Sequence, residues 1–201
     1  MKSTVRRAKN LQGFTLIEMV VSISMIALTA ALFIANYHSS IRQTDLTMTA
    51  QKLVSDIHAA QNNTLGLIKY NGLVPAGGWG IHFNNLDSAQ NGYVLYADLD
   101  APEASGYIQY DPATEGQVDY GARVTNLSND IKIIDLAGGA VDATWADVTF
   151  LPPDPQTNIS LGGATTTDLA IVLKSINNNT CRTVTVNFLG LVEVLDATTC
   201  P

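Results

Sequence analysis

Few residues of this 201-residue chain are of a type and placement that could do chemistry, and the first is a carboxylate in the wrong solvent. Glu18 sits inside Phe14 to Ala35, a run whose other polar groups are all hydroxyls. If that run crosses a bilayer, ionised Glu18 costs about 2.5 to 3.5 kcal/mol to insert, so it calls for a cation or a task. Second, Cys181 and Cys200 lack the paired spacing of a zinc module and read as one bridge or two inert thiols. Third, no basic residue occurs between Lys69 and Arg123, while Asp87, Asp98, Asp100, Glu103, Asp111, Glu115 and Asp119 accumulate. Asp98-x-Asp100 followed by Glu103 has part of a calcium-loop pattern, but Pro102 stands at a ligand position and the turn glycine is missing. The stretch reads as a solvated acidic face, and no metal is assigned to it.

Enzyme chemistry finds little support. His38 and His58 fall on a predicted helix and His82 in a predicted strand, with no H-E-x-x-H pair, nucleophile elbow, P-loop or dinucleotide fingerprint. Neither cysteine has a neighbouring base signature. The expectation is a protein that is not an enzyme and holds no cofactor. Eleven Lys and Arg against eighteen Asp and Glu give a net charge of -7, the wrong sign for a protein that grips nucleic acid. With 46% hydrophobic and 14% charged residues, the chain is globular or membrane-linked rather than disordered.

The element that must position Glu18 is a helix. Met1 to Gly13 carries Lys2, Arg6, Arg7 and Lys9 and no acid, and runs straight into the apolar segment. About 22 residues at about 1.5 Å each span roughly 33 Å, enough to cross a bilayer. The basic flank should stay cytoplasmic, which places everything after Ala35 on the far side, where disulfides persist. Beyond Ala35 the pattern becomes one-sided: Leu46, Ala50, Leu53, Ile57, Ala60, Thr64 and Leu67 recur at alternating fours and threes. No proline occurs from Phe14 to Val74. The spacing therefore predicts one continuous helix of about 50 residues, membranous over 14–35, packed on a globular head over 36–70, and ended by Gly66 and Gly72.

From Trp79 the period changes to short alternating or apolar runs. Strands are expected at Trp79 to Phe83, Tyr93 to Ala97, Tyr107 to Tyr110, Ile131 to Asp135, Asp147 to Leu151, Leu169 to Lys174, Thr183 to Phe188 and Leu191 to Leu195. The fold class is α+β: a long N-terminal helix on a β-rich head, 71–201, of two small sheets around one core. Gly138-Gly139 and Pro152-Pro153-Asp154-Pro155 read as loops or sheet crossings. If Gly190 takes the first central place of a two-residue type II′ turn, the last hairpin sets Cys181 directly across from Cys200, close enough to bridge.

Gly13-Phe14-Thr15-Leu16-Ile17-Glu18 resembles the prepilin signature of type IV pilins and type II secretion pseudopilins. The segment Ile41 to Gly66, with Ala59-Ala60-Gln61 near its end, further resembles the H-type minor pseudopilins and FimT-like minor pilins. The resemblance implies a leader, 1–13, removed by a prepilin peptidase that cuts after Gly13 and methylates the new amino terminus of Phe14. It implies an inner-membrane, single-pass precursor with its head outside the cytoplasm, which then joins other pilins or pseudopilins in a helical filament. The freed amine of one subunit would meet Glu18 of its neighbour and set the stacking register. A C-terminal disulfide is also common in type IV pilins. FimT-like pilins that take up DNA carry arginines around the glycine of their closing hairpin, where this chain has Leu191 and Glu193, so no nucleic-acid partner is expected. The expected function is a minor structural subunit of a secretion pseudopilus or type IV pilus; the alternative is an adhesin or ligand-binding module on a membrane anchor.

Intact-mass measurement of the membrane-extracted protein, made in cells that contain a prepilin peptidase, should show loss of Met1 to Gly13 and gain of one methyl group. An uncut chain would remove the processing expectation.

Overall fold

The computed structural model describes residues 14–84, 92–100, 102, 107–110, 119–139, 141–153, 156–197 and 200. The fold is α+β: one helix, α1 (Leu16–Leu65), precedes the strands. The chain divides into two compact units, Met1–Ile41 and Arg42–Pro201, and α1 contributes to both.

In the first unit the described side chains, 14–34, are exposed all round the helix. Leu16–Ile34 is long and apolar enough to cross a membrane. Its hydroxyls are turned inward: Ser22 Oγ donates to the Glu18 carbonyl and Ser24 Oγ to that of Val20, both at 2.7 Å, and Thr29 Oγ1 donates to that of Met25 at 3.0 Å. Each donor is thereby satisfied without water, as a hydrocarbon surrounding would require.

In the second unit the predicted stripe is buried. Leu46, Ala50, Leu53, Ile57 and Ala60 join one core cluster with residues of both sheets. Thr64, next in the stripe, is a polar joint: its hydroxyl donates to the Phe150 carbonyl at 3.0 Å and accepts the Trp79 amide at 3.1 Å. Leu67 leaves the stripe. The amide of Ile68 donates to the Asn63 carbonyl and that of Leu67 to the Thr64 carbonyl, a Schellman ending with Leu67 left-handed at φ 47°. The helix ends directly before Gly66, one of the two expected terminators, and the left-handed residue that follows is Leu67 rather than a glycine.

The head has two antiparallel sheets. Sheet I contains β1 (Gly78–Asn84), β2 (Gly92–Asp98), β3 (Asp119–Asn126), β6 (Trp145–Leu151), β7 (Gln156–Leu161) and β8 (Ala164–Thr166), in the order β3-β2-β1-β6-β7-β8. Sheet II contains β4 (Ile131–Gly138), β5 (Val141–Asp142), β9 (Asp168–Ser175), β10 (Thr180–Asn187) and β11 (Val192–Ala197), in the order β11-β10-β9-β4-β5. Seven of the eight expected strands are present; β3, β5, β7 and β8 were not anticipated. Polar or Gly-bearing sequences such as Gln156–Leu161 give little period-2 signal, and their neighbours' ladders order them. Pro152-Pro153 lies in the hairpin loop between β6 and β7, so it is a loop and not a crossing.

Two expectations are corrected. Tyr107 to Tyr110 is a turn segment, not a strand. Its amides are taken by carboxylates: Ile108 N donates to Asp98 Oδ2 at 2.5 Å and Tyr110 N to Asp147 Oδ2 at 3.3 Å. The last hairpin has a three-residue loop, Phe188-Leu189-Gly190, rather than a two-residue turn. Asn187 N donates to the Leu191 carbonyl, Gly190 N donates to the Asn187 carbonyl, and Asn187 Oδ1 accepts from the amides of both Leu189 and Leu191 at 3.0 Å. That side-chain cap selects the longer loop, with Gly190 left-handed at φ 75°. A Cβ there would come within 2.9 Å of Gln61 Nε2 and Thr157 Oγ1. Consequently Cys181 faces Ala197 and not Cys200. The bridge nevertheless joins Cys181 to Cys200, with Cα atoms 5.4 Å apart.

Replacing Ile57 with Ala should cost about 2 to 4 kcal/mol, since a fully buried stripe residue leaves a cavity between helix and sheets. Leu67→Ala, at an exposed position, should cost under about 0.5 kcal/mol. Denaturant unfolding of the detergent-solubilised chain followed by tryptophan fluorescence would separate the two.

Candidate functional site

The sequence places the candidate site where α1 begins. Gly13, the expected cleavage residue, and the rest of the leader lie outside the described residues. Phe14 is exposed and precedes the helix, and Thr15 caps it. The Glu18 amide donates to the Thr15 carbonyl at 3.1 Å and to Thr15 Oγ1 at 3.4 Å, while that hydroxyl lies 3.5 Å from Glu18 Oε2. Thr15-x-x-Glu18 is thus half of a capping box at the N-terminus of the apolar run. The carboxylate stands in the first turn, where the unpaired amide dipoles favour negative charge. Sequence reading assigned Glu18 no intrachain partner; the T-x-x-E spacing was the available signal for one.

This arrangement can do one thing chemically. It fixes a carboxylate one helical turn from residue 14, at the positive end of a helix, with the Thr15 hydroxyl as its side-chain neighbour among the described residues. No metal or cofactor is suggested by it, and among the described residues no cluster of three or more His, Cys, Asp or Glu is placed to hold a metal. The disulfide Cys181–Cys200 belongs to the other unit, in sheet II.

The head holds buried polar pairs that sequence reading missed. Asp56 of α1 accepts from Tyr93 OH at 2.7 Å, tying helix to sheet I. On the opposite face of that sheet, His82 of β1 sits across from Asp147 of β6 in register, with Nδ1 and Oδ1 2.7 Å apart. Tyr110 packs on the imidazole with ring centroids 4.6 Å apart, and Tyr96 OH hydrogen-bonds Thr149 Oγ1 at 2.7 Å. Asp98, from the acidic stretch, is fully buried and bonds the amides of Asp100 and Ile108, so it organises backbone. Glu103, Asp87, Asp111 and Glu115 lie outside the described residues.

The His82–Asp147 pair has the parts of a general base and its orienting acid, but the Ser160 hydroxyl among the described residues does not lie within reach of the imidazole. Ser160 of β7 is paired with Asp147 on the side away from His82, so two strand spacings, about 9.5 Å, separate hydroxyl and imidazole. Both cysteines are consumed by the bridge.

No protein-family model matches the chain, and no curated protein matches it. Among solved structures it is similar to the minor pseudopilin EpsH from the type 2 secretion system of Vibrio cholerae, at 14% identity, covering 76% of this chain and 97% of that one, with a TM-score of 0.39.

Burial pushes the Asp147 carboxyl above its ordinary range, and the hydrogen bond and charge of His82 only partly oppose this. A carboxyl so raised binds its proton more readily in the fold than in the unfolded chain. Its stabilising contribution is complete below the ordinary carboxylate pKa and is lost as pH rises through the raised value. Denaturant melts of wild type and Asp147→Asn across pH 3 to 8 should therefore differ most in favour of wild type at the acid end, with the advantage shrinking as pH rises. A difference that grows with pH would contradict the assignment.

Proposed function

We propose that this chain is a pilin-like structural subunit that works by assembly and not by catalysis. It is made as an inner-membrane precursor, cut after Gly13 and methylated at Phe14 by a prepilin peptidase, and then joins other pilins or pseudopilins through the apolar part of α1. Within that class it is a minor subunit of a secretion pseudopilus or of a type IV pilus, most similar in design to the H-type.

The observation that carries this reading is the change of character along one helix. Over 14–34 its described side chains are exposed on every side and almost wholly apolar, a surface that demands lipid or other helices. From Leu46 to Thr64 a single stripe is buried in a folded head. A helix so divided serves as a membrane anchor when alone and as a polymer core when extracted, because lipid contacts and helix packing are exchangeable covers for the same apolar surface. Glu18 supplies what apolar packing lacks, a register: an amine freed at Phe14 of one subunit neutralises the carboxylate of the next, at a depth where leaving either charge alone is costly.

Changing Glu18 to Ala should leave cleavage and methylation intact while lowering incorporation into sheared filaments by about tenfold or more, equivalent to about 1.4 kcal/mol of lost pairing. Gly13 replaced by a bulky residue should instead leave uncut precursor in the membrane. Normal incorporation of Glu18→Ala, measured by quantitative blotting of filament and membrane fractions, would remove the register role.

A further inference from the structure

The described head has four sheet edges, and three carry the protections that edges normally need. At one end of sheet I, β8 is three residues long, and at one end of sheet II, β5 is two, too short to template another strand. At the other end of sheet I, β3 joins β2 through a register shift between Leu95 and Tyr96, a bulge that bends the ladder. The fourth edge, β11, has none of these. Its register with β10 is unbroken from Cys181↔Ala197 to Val186↔Val192, and it contains no proline, lysine or arginine. Val194 and Leu195, on opposite faces of the strand, are 38% and 49% exposed, and Phe188, Leu189 and Leu191 extend the apolar surface around the hairpin.

The hydrogen-bond phase shows which backbone groups are on offer. Asn187 N donates to the Leu191 carbonyl, so this pair is a bonded one. Alternation in an antiparallel ladder then gives Glu193 and Leu195 to β10 and turns the N–H and C=O of Val192, Val194 and Asp196 outward. An open edge with apolar side chains on both faces is the geometry that captures an extended segment as an added strand.

We infer that β11 is a docking edge for an extended segment of another protein, one that alternates apolar residues with Lys or Arg. The charge follows from Glu193 and Asp196, both exposed and flanking Val194-Leu195; Asp196 pairs with Arg182, and among the described residues Glu193 has no ion pair. A second copy is the poorer occupant, because its own β11 would place two Glu193 and two Asp196 carboxylates in one two-stranded ribbon. This surface lies wholly within Arg42–Pro201, and its use depends on neither cleavage nor assembly through the apolar helix.

The test uses the full chain in detergent micelles and a fluorescent (Lys-Val)4 peptide, with (Glu-Val)4 as control, read by anisotropy. Wild type should bind the basic peptide and not the acidic one. Val194→Pro, which deletes an outward N–H and no bond to β10, should weaken binding at least tenfold while leaving the Cys181–Cys200 bridge formed. Leu195→Lys should do the same by charging the exposed edge, and it serves as the deciding variant if Val194→Pro fails to form the bridge. Failure to bind (Lys-Val)4, equal binding of the two peptides, or binding indifferent to both variants would overturn the inference. So would dimerisation of the chain that Val194→Pro abolishes, since the occupant would then be a second copy.

Discussion

The seam where α1 meets the head is the interaction on which the rest of the second unit depends. Leu46, Ala50, Leu53, Ile57 and Ala60 are all at or near zero exposure, so a single helical stripe supplies one wall of a core that both sheets share. Apolar burial of this kind is non-directional and would tolerate sliding. The polar contacts along the seam are directional: Asp56 holds Tyr93 of β2, and the Thr64 hydroxyl engages both Phe150 of β6 and Trp79 of β1. One hydroxyl used as donor and acceptor at once leaves little freedom for the helix end. At Leu67, past the last helical residue, the chain turns left-handed, and the Ile68 carbonyl then accepts from the Trp79 indole at 3.1 Å.

The first unit obeys a different constraint. Its described side chains are exposed, and the hydroxyls of Ser22, Ser24 and Thr29 are each satisfied by the carbonyl one turn back. Glu18 is the one acidic residue among the described side chains of this segment. The Thr15 hydroxyl and the amide end of the helix are its described neighbours. On the proposed function, a carboxylate at this place is the group that a cation from a neighbouring subunit would meet.

The outer face of sheet I shows how acidic residues can serve structure. Asp98 and Asp147 are fully buried, and each accepts backbone amides from the segment 107–110, which they hold against the sheet. Gly80 leaves room for the Tyr96 ring, which a Cβ would approach to 2.7 Å. An acidic stretch that reads as a solvated face thus contains in Asp98 a buried carboxylate that acts as a backbone acceptor, and Asp147, outside the stretch, does the same.

What was legible in the residues is what depends on neighbours along the chain. The helix length, its division into an all-round apolar part and a one-sided part, and seven strands follow from periodicity, because a side chain's direction repeats with the local geometry. The T-x-x-E cap was equally local and was overlooked. What only the tertiary structure decided are choices between near-equal local options. Gly190 permits a two- or a three-residue loop, and the Asn187 side chain tips the balance, so the bridge between Cys181 and Cys200 exists on a register different from the one that suggested it. Tyr107 to Tyr110 has strand-forming side chains, yet Asp98, 10 residues before Ile108, and Asp147, 37 residues after Tyr110, accept its amides. Likewise, Val194 and Leu195 look like core residues in the sequence, and only the order of strands in sheet II leaves them at an open edge. Periodicity says which face a residue shares with its neighbours; which groups arrive to cover that face is settled by contacts between segments that the chain itself keeps far apart.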